Sequence, residues 1–403
     1  MSTMTTIDYT SAPDHGGDGN DGRDVSGKTP RPRRTRLAEI GLTALLAASI
    51  GSGATLATTG LLPVTTSSSV AADAGADAGS TAAPSTPSWP TVAAAASPSV
   101  VAVEVSGRAG SGQGSGVIWD DQGHVVTNNH VVASLGDGAR IQVRIGQQTT
   151  YAATIVGTDS TTDLAVLQIQ SPPADLAPLP RGTADEVHVG DPVMALGNPL
   201  GLSGTVTTGI VSALDRPTTT EAVDSQAGPP SAAQVVVTNA IQTSAAINPG
   251  NSGGALVDAQ GRLIGINSSI ASMPSSTGQS GGNIGIGFAV PVDEVTGIVD
   301  QLISSGTATH AALGIRVIDA EVPQGAATVS GAGVEEVLPQ GAAATAGLRS
   351  GDVIIAVDDT PVTSAESLIG QVRSHAVGQS VDLTLLRDGS RTSVTVTLDS
   401  RSA

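Results

Sequence analysis

The chain has 403 residues, with 18 basic and 36 acidic side chains, a formal net charge of −18 and no cysteine. An acidic chain without a basic stripe argues against nucleic-acid binding, and the missing cysteine excludes disulfides, thiol catalysis and thiolate zinc sites. Aromatic residues make up only 1% of the chain, so its cores must be built from Val, Ile, Leu and Ala, which fits β-rich packing. The length is enough for two or three domains.

The N-terminal segment differs in composition from the rest. Residues 1–36 are rich in Gly, Asp, Thr and Pro and have no apolar period, which predicts a disordered cytoplasmic tail. From Gly41 to Leu62 no residue is charged, and this length is enough to span a bilayer. Arg33, Arg34 and Arg36 directly precede the apolar run, which favours an N-terminus inside the cell.

These features predict a single-pass protein of the cell membrane, anchored by residues 37–62, with its later domains outside the cytoplasm. A cleaved signal peptide and a merely disordered stretch are the alternatives, because Ser and Thr residues dilute the hydrophobicity. Residues 63–95 are rich in Ala, Ser, Thr and Pro, and we predict that they form a disordered linker.

Short apolar runs separated by Gly-containing turns begin at Val100. Such runs predict several short strands, and frequent turns between them favour an all-β barrel or sandwich. The predicted strands include Val100–Val105, Gly116–Trp119, His124–Thr127, Ile141–Ile145 and Ala152–Val156.

Two polar residues border apolar runs in this β-rich region. His130 follows a predicted strand in the sequence TNNHVV, and Asp163 opens an apolar run in the sequence TDLAVL. Taken singly, such a histidine is more often structural, and such an aspartate is more often a cap or turn residue.

A third stretch, NPGNSGG at residues 248–254, sets Ser252 among small and turn-forming residues. Glycine on both sides permits a sharp turn, in which successive backbone N–H groups can surround a developing oxyanion. Clusters of Gly, Asn and Ser are often ordinary turns. The order His130, Asp163, Ser252, however, matches chymotrypsin-type triads and differs from the subtilisin and α/β-hydrolase orders.

The three motifs resemble those of the HtrA (high-temperature-requirement) family of serine proteases, and the likeness covers about residues 96–398. Three further stretches agree with this family: ALGNP at 195–199, GIVSA at 209–213 and GFAVP at 287–291.

The resemblance implies an all-β, trypsin-like protease domain over residues 96–303. It would consist of two six-stranded β-barrels, near residues 98–180 and 181–303, with the active site in the cleft between them.

The resemblance also implies a role for each motif residue. Ser252 Oγ would attack the peptide carbonyl, with His130 as general base and Asp163 holding the imidazole tautomer. The N–H groups of Gly250 and Ser252 would form the oxyanion hole. No cofactor or metal is needed. One departure is Ser244, which stands where the family usually has an acid. This exchange affects the hydrogen bonds that order the loop before Ser252.

Other residues could replace members of this triad. Asp159 is an alternative acid, but its setting, GTDS, is that of a plain turn. The other histidines lack a matching context: His15, His124, His188, His310 and His375. We place His310 in a polar hinge over residues 304–312. No spacing of His, Asp and Glu resembles a metal site.

Substrate selection is expected at the S1 pocket, which binds the residue before the cleaved bond. No acid stands near Ala246 and Ile247, its expected floor, which predicts small or medium apolar P1 residues such as Val, Ala or Leu. Two segments rich in Pro, Gly and Ser, Pro217–Gln234 and Ala271–Asn283, are typical of passive loops. By resemblance they match loops that reorder the oxyanion hole when an activating ligand binds.

The C-terminal pattern resembles a bacterial, circularly permuted PDZ domain of α+β class over residues 311–398. The supporting stretches are GLRSGDVII at 347–355, a helix-like segment at Ser364–Ser374 and β-type runs at Ser380–Arg387 and Thr392–Leu398. A generic α+β module that only packs on the protease is the alternative.

A PDZ domain binds extended C-terminal peptides along the edge of a strand. The resemblance implies a carboxylate-binding loop at Leu313, Gly314 and Ile315, and a groove between Ile315–Val317 and a helix near residues 365–373.

Together these features predict a membrane-anchored, extracytoplasmic serine endopeptidase that degrades misfolded or unfolded proteins and is regulated by its PDZ domain. Its expected partners are unfolded proteins, peptide C-termini and, by resemblance, two further copies of the chain in a homotrimer. Two alternatives stay open: a chaperone or scaffold with latent proteolysis, and a protease that cleaves one signalling protein at a specific site.

Overall fold

A computed structural model describes residues 87–402, except residue 109 and residues 134–137, 200–203, 222–234 and 269–284. The predicted tail, the predicted anchor and residues 63–86 of the predicted linker lie outside the described residues. The prediction of disorder is wrong for the end of that linker, because a helix, Trp89–Ala96, begins there and buries Val92 and Ala96. No helix in the described ranges is both long and apolar enough to cross a membrane. All described residues belong to one unit of the chain, Ser80–Ala403.

The first barrel has six strands: β1 (Val100–Gly107), β2 (Gly110–Ile118), β3 (His124–Asn128), β4 (Arg140–Ile145), β5 (Thr149–Asp159) and β6 (Leu164–Ile169). They close in the antiparallel order β1-β2-β3-β6-β5-β4. Val101, Val103 and Val105 are at most 1% exposed and pack inside the barrel. Their two-residue period directs one face of β1 into the barrel core.

The second barrel has six further strands: β7 (Pro192–Gly197), β8 (Thr205–Glu221), β9 (Val235–Thr243), β10 (Ala255–Val257), β11 (Leu263–Ser268) and β12 (Gly287–Pro291). They close in the order β10-β11-β12-β9-β8-β7. The interior is filled by aliphatic side chains such as Val193, Ile241 and Leu256. This agrees with the expectation that an aromatic-poor chain builds its cores from small and branched residues.

A separate apolar cluster joins the two barrels. It combines Leu164 from β6 with Leu196 from β7 and Ile266 from β11, all at most 1% exposed. Three helices accompany the barrels: α1 (Trp89–Ala96), α2 (Asn129–Ala133) and α3 (Val292–Ser305). Short 3₁₀ turns lie at Ser97–Ser99 and Ala184–Glu186.

Helix α3 covers the cluster between the barrels with one apolar face. Val295, Val299 and Leu302 recur at helical spacing and are fully buried. The helix ends at Ser305, and the next residue, Gly306, has a left-handed φ of 77° and donates its N–H to the Leu302 carbonyl.

The C-terminal module contains eight strands and two helices: β13 (Thr309–Ala312), β14 (Ile315–Gln324), β15 (Ala327–Val337), α4 (Ala342–Ala346), β16 (Val353–Val357), β17 (Thr360–Pro361), α5 (Ala365–Ser374), β18 (Ser380–Arg387), β19 (Ser390–Thr397) and β20 (Asp399–Ser402). The main sheet has the order β14-β15-β16-β18-β19, and β13 pairs with β20. A core that includes Leu313, Ile354, Leu368 and Leu383 holds the sheet to α5.

Helix α5 also contacts β8 and β9 of the second barrel. The Arg373 guanidinium donates to the Val237 carbonyl at 3.3 Å. A Cβ atom at Gly370 would lie 3.4 Å from Cβ of Asn239, so the helix backbone approaches the barrel closely. The helix expected to line the peptide groove therefore also touches the protease domain.

The predicted polar hinge over residues 304–312 is wrong. Helix α3 continues to Ser305, and Thr309–Ala312 forms strand β13, which pairs with β20. His310 is only 5% exposed, and its Nε2 lies 3.0 Å from Asp159 Oδ2. The hinge was predicted because the segment looks polar, but its partners come from distant parts of the chain.

The loop predicted at Pro217–Gln234 is wrong at its start, because residues 217–221 belong to a strand. Strand β8 runs on to Glu221 and pairs with β9 as far as Val235. Threonines at 218–220 suit a strand, because β-branched side chains fit an extended backbone. The rest of this loop and the segment Ala271–Asn283 lie outside the described residues.

Candidate active site

His130 is held where β3 passes into α2. Its backbone N–H donates to Asp163 Oδ1 at 2.9 Å, and its Nδ1 lies 2.8 Å from Asp163 Oδ2. The imidazole is 20% exposed, so one edge is open to a substrate, whereas the Asp163 carboxylate is 9% exposed. Two contacts from one carboxylate fix both the position and the rotation of the ring.

Asp163 adopts a positive φ of 58°, a conformation that aspartate tolerates better than most residues. Its carbonyl accepts hydrogen bonds from the Asn129 N–H and the Asn128 amide, both at 2.9 Å. Ser268 at the end of β11 places its Oγ 3.5 Å from the same carboxylate oxygen that faces His130. The acid is thus anchored from both barrels.

Ser252 lies just after a tight turn and is 3% exposed. The Asn251 N–H donates to the Asn248 carbonyl at 2.9 Å and closes the turn, while Gly250 has a φ of 100°. Pro249 in second place and a left-handed glycine in third place are the residues that a type II turn requires. A side chain at Gly250 would be strained and would also collide with Pro199.

The turn at residues 248–251 before Ser252, named the nucleophile turn after the role proposed for Ser252 below, meets the His130 helix across β2. A Cβ atom at Gly114 would lie 2.7 Å from a methyl of Val131 and 3.2 Å from the Ser252 carbonyl oxygen. The Ser115 N–H donates to that carbonyl at 2.8 Å. The structure therefore brings Ser252 of the second barrel next to the first-barrel segment that carries His130.

The alternative residues serve other contacts. His124 Nδ1 pairs with Asp120 at 2.6 Å, and the side chain of His188 is 74% exposed. Asp159 does border a turn, since its Oδ1 accepts from the Thr161 N–H at 3.0 Å, but it is also fully buried beside His310. Burial alone would raise the pKa of Asp159, but His310 and hydrogen bonds from Thr162 and Thr161 hold it below its usual value.

Ser244 stands where the family usually has an acid, and it ties the segment before Ser252 to β8. Its Oγ accepts from the Ile210 N–H at 3.0 Å, and its own N–H donates to the Ile210 carbonyl at 3.1 Å. A hydroxyl thus supplies an acceptor at this position, without the negative charge of an acid.

The expected S1 region is apolar. Ala245 and Ile247 are 0% and 5% exposed, and a Cβ atom at Gly287 would lie 2.5 Å from the Ile247 side chain. The Thr207 hydroxyl on β8 donates to the Ala246 carbonyl at 2.9 Å and ties residues 245–247 to that strand.

In the C-terminal module, the predicted loop Leu313–Ile315 is anchored by its carbonyls. The Leu313 carbonyl accepts from the Ala343 N–H at 2.8 Å, and the Gly314 carbonyl accepts from the Leu338 N–H at 2.9 Å. Gly314 has a φ of 72°. Strand β14, which follows, is an edge strand of the main sheet.

Two residues at the candidate site were missed from the sequence, namely Ser115 and Ser268. Nothing next to Ser268 in the chain indicates that it faces Asp163. The sequence Gly-Ser-Gly at 114–116 does indicate a close backbone approach, but not the partner. Within the described residues, no group of three or more His, Cys, Asp or Glu side chains could hold a metal ion.

The class that this fold defines is a trypsin-like serine endopeptidase with a C-terminal PDZ domain. The sequence matches the family model of the trypsin-like peptidase domain over residues 114–266 and that of the PDZ domain over residues 311–398. It is 43% identical over 384 residues to the serine protease PepD of Mycobacterium tuberculosis, covering 91% of this chain and 78% of the relative.

Two further comparisons agree. The periplasmic serine endoprotease DegP of Escherichia coli is 40% identical over 294 residues, which cover 72% of this chain but only 57% of DegP. The solved HtrA-type protease AlgW with a tripeptide is 35% identical, with a TM-score of 0.56 over 78% of this chain and 98% of AlgW. The chain belongs to the HtrA family of serine proteases.

Proposed function

We propose that this chain cleaves peptide bonds with Ser252, His130 and Asp163. Ser252 Oγ attacks the carbonyl carbon while His130 Nε2 takes its proton, which His130 later gives to the leaving amine. Asp163 holds the imidazole with a proton on Nδ1 and stabilises the imidazolium. The observation that carries the proposal is the 2.8 Å contact of His130 Nδ1 with Asp163, beside the turn that presents Ser252.

In this proposal the N–H groups of Gly250 and Ser252 receive the oxyanion. The left-handed Gly250 and the closed turn before Ser252 support this assignment, because they fix the direction of the backbone amides. The loss of one such donor typically lowers kcat by about 10²–10³-fold.

The substrate side chain before the cleaved bond is expected to be small or medium and apolar. Two observations support this preference. Ala245 and Ile247 are buried, and no acidic residue stands near Ala246 in the sequence. A charged P1 residue would lose its hydration there without gaining a partner.

We assign residues 96–303 to the protease domain and residues 311–398 to the PDZ domain. The PDZ domain binds the C-termini of peptides, with the carboxylate at Leu313–Ile315 and the peptide backbone along the outer edge of β14. The edge position of β14 supports this binding mode, since its unpaired side can accept an added strand. The contacts of α5 with β8 and β9 support regulation of the protease by the PDZ domain.

The physiological substrates are proposed to be misfolded or unfolded proteins outside the cytoplasm, and the enzyme is proposed to be a membrane-anchored homotrimer. The uncharged run at Gly41–Leu62 supports the anchor. The name of the relative DegP as a periplasmic endoprotease supports the compartment. Extraction of membranes at alkaline pH tests the anchor, and light scattering of residues 90–403 tests the trimer, which a strict monomer would contradict.

The decisive experiment treats the full chain with a fluorophosphonate probe and with β-casein. We expect the wild type to be labelled and to degrade casein, and the Ser252→Ala variant to do neither. The exposed-serine variant Ser304→Ala is the matched control and should behave as the wild type. Equal behaviour of wild type and Ser252→Ala, even with activating peptides present, would favour the chaperone alternative.

The PDZ assignment has its own test. A labelled peptide that ends in an apolar residue should bind with a free carboxylate and lose most of its affinity when the C-terminus is amidated. Equal affinity of the two forms, measured by fluorescence anisotropy, would contradict carboxylate recognition.

A further inference from the structure

A fully buried serine of the first barrel reaches into the nucleophile turn of the second. Ser115 on β2 is 0% exposed, and its hydroxyl donates to the Gly250 carbonyl at 2.6 Å. The same oxygen accepts from the Asn198 N–H at 2.7 Å, just after β7. Both partners of this hydroxyl belong to the second barrel.

The backbone of Ser115 makes a second contact with the same turn. Its N–H donates to the Ser252 carbonyl at 2.8 Å. One residue therefore holds the carbonyls of both Gly250 and Ser252, and so fixes the peptide planes Gly250–Asn251 and Ser252–Gly253, each of which directly follows an N–H group of the proposed oxyanion hole. Those N–H groups can act only if the peptide planes around them keep one orientation.

The contacts of Ser115 add to the restraint that the closed turn itself supplies. A left-handed glycine such as Gly250 is close in energy to other conformations, since it has no side chain to restrict it. The Asn251 N–H donates to the Asn248 carbonyl and closes the turn itself, and the Gly254 N–H donates to the Asn251 carbonyl just after it. The Ser115 hydroxyl ties the turn to the barrel that carries His130 and Asp163.

We propose that Ser115 is a positioning residue that holds the oxyanion-hole amides of Gly250 and Ser252 in register with His130. It does not touch the substrate. Its hydroxyl fixes the peptide plane between Gly250 and Asn251, which lies between the two proposed oxyanion-hole N–H groups, through the short bond to the Gly250 carbonyl, and its own position is fixed from the second barrel by the Asn198 N–H. This inference rests on the proposed catalytic role of Ser252.

Ser115→Ala removes the hydroxyl and leaves the rest of the barrel contact in place. With a fluorogenic peptide that has Val at P1, we expect kcat to fall about tenfold or more, while KM changes less than threefold. A peptide boronate, which forms a tetrahedral adduct with the nucleophile, should lose affinity in parallel with kcat/KM. Ser115→Cys puts a larger but weaker donor at the same place, so its kcat should fall between those of the wild type and the alanine variant.

Thr127→Val is the matched control. Thr127 is also fully buried, and its hydroxyl donates at 2.7 Å to the carbonyl of Ser115, so it lies at the same contact but makes no bond to the nucleophile turn. We expect a lowered melting temperature with kcat within twofold of the wild type.

The outcomes separate the two proposals. If wild type and Ser252→Ala hydrolyse the peptide equally, the proposed function fails. If wild type is active and Ser115→Ala keeps full kcat and boronate affinity, or if Thr127→Val loses as much kcat as Ser115→Ala, the positioning role is refuted. If the alanine variant does not fold, the cysteine variant decides: wild-type kcat overturns the inference, and a fall with unchanged KM supports it.

Discussion

Glu294 offers a test of how the junction between the two domains is held together. It lies in the first turn of α3, is 7% exposed, and its Oε2 has no hydrogen-bond partner among the described residues. Burial raises the pKa of Glu294 to about 8, and the Asp159 carboxylate adds to the effect, against a smaller opposing effect of Arg373. The side chain is therefore neutral in the folded protein at pH 7.

The sign of the pH dependence follows from proton release. The ordinary pKa is 4.5 and the folded value is about 8, so unfolding releases a proton between these values and stability falls as the pH rises through them. Each pH unit in this window costs about 1.4 kcal/mol, which gives an upper bound of about 5 kcal/mol at pH 8 and above.

Glu294→Gln has nearly the same volume and cannot ionise. We expect it to match the wild type at pH 4 and to be more stable by about 2–5 kcal/mol at pH 9, within the bound set by the raised pKa. Urea unfolding of the full chain at pH 4, 6, 7.5 and 9, followed by far-UV circular dichroism, measures the difference. All other titrating groups are shared, so the difference isolates Glu294.

Asp300→Asn, on an exposed position of the same helix, is the control and should shift stability by less than about 0.5 kcal/mol at every pH. A difference between wild type and Glu294→Gln that is constant from pH 4 to pH 9 would refute the reasoning. Such a result would mean that Glu294 reaches water or a cation at the junction.

Three further outcomes are expected. Asp163→Asn replaces an acceptor of the His130 Nδ1–H with an amide, so kcat for a peptide substrate should fall by about 10⁴-fold with little change in KM. Leu302→Ala leaves a cavity between the barrels and α3, and urea unfolding should show a loss of about 2–5 kcal/mol, whereas a loss below 1 would mean that the site collapses. Gly253→Ala puts a methyl group against the Ser115 carbonyl at a φ of 82°, so fluorophosphonate labelling should disappear; full labelling would show that the turn can shift.

Much of the candidate site could be predicted because short motifs encode local geometry. Asp163 suits a left-handed position, and Pro249 with Gly250 suits a type II turn, so the residue types themselves report backbone conformation. The two barrels could be expected from short alternating runs, because a strand with one face in a core repeats every two residues. The family resemblance added the chemical role that is expected of each motif residue.

Other residues could not be predicted because their partners are distant in the chain. Asp159 and His310 stand in polar stretches that indicate a turn and a hinge, yet they meet in the interior. Ser268 lies 105 positions from Asp163, and only the packing of the second barrel against the first brings its hydroxyl near the carboxylate.

The sequence by itself determined the local parts of this protein: which segments form strands, where the chain turns, and which motifs place His130, Asp163 and Ser252 in the order of a serine-protease triad. Only the tertiary structure decided how those parts meet, through the contact of Ser115 with the nucleophile turn and the packing of α5 on the second barrel. The reason is physical. Backbone conformation depends on near neighbours, whereas burial, pKa values and contacts between barrels depend on groups that the fold brings from more than a hundred residues away.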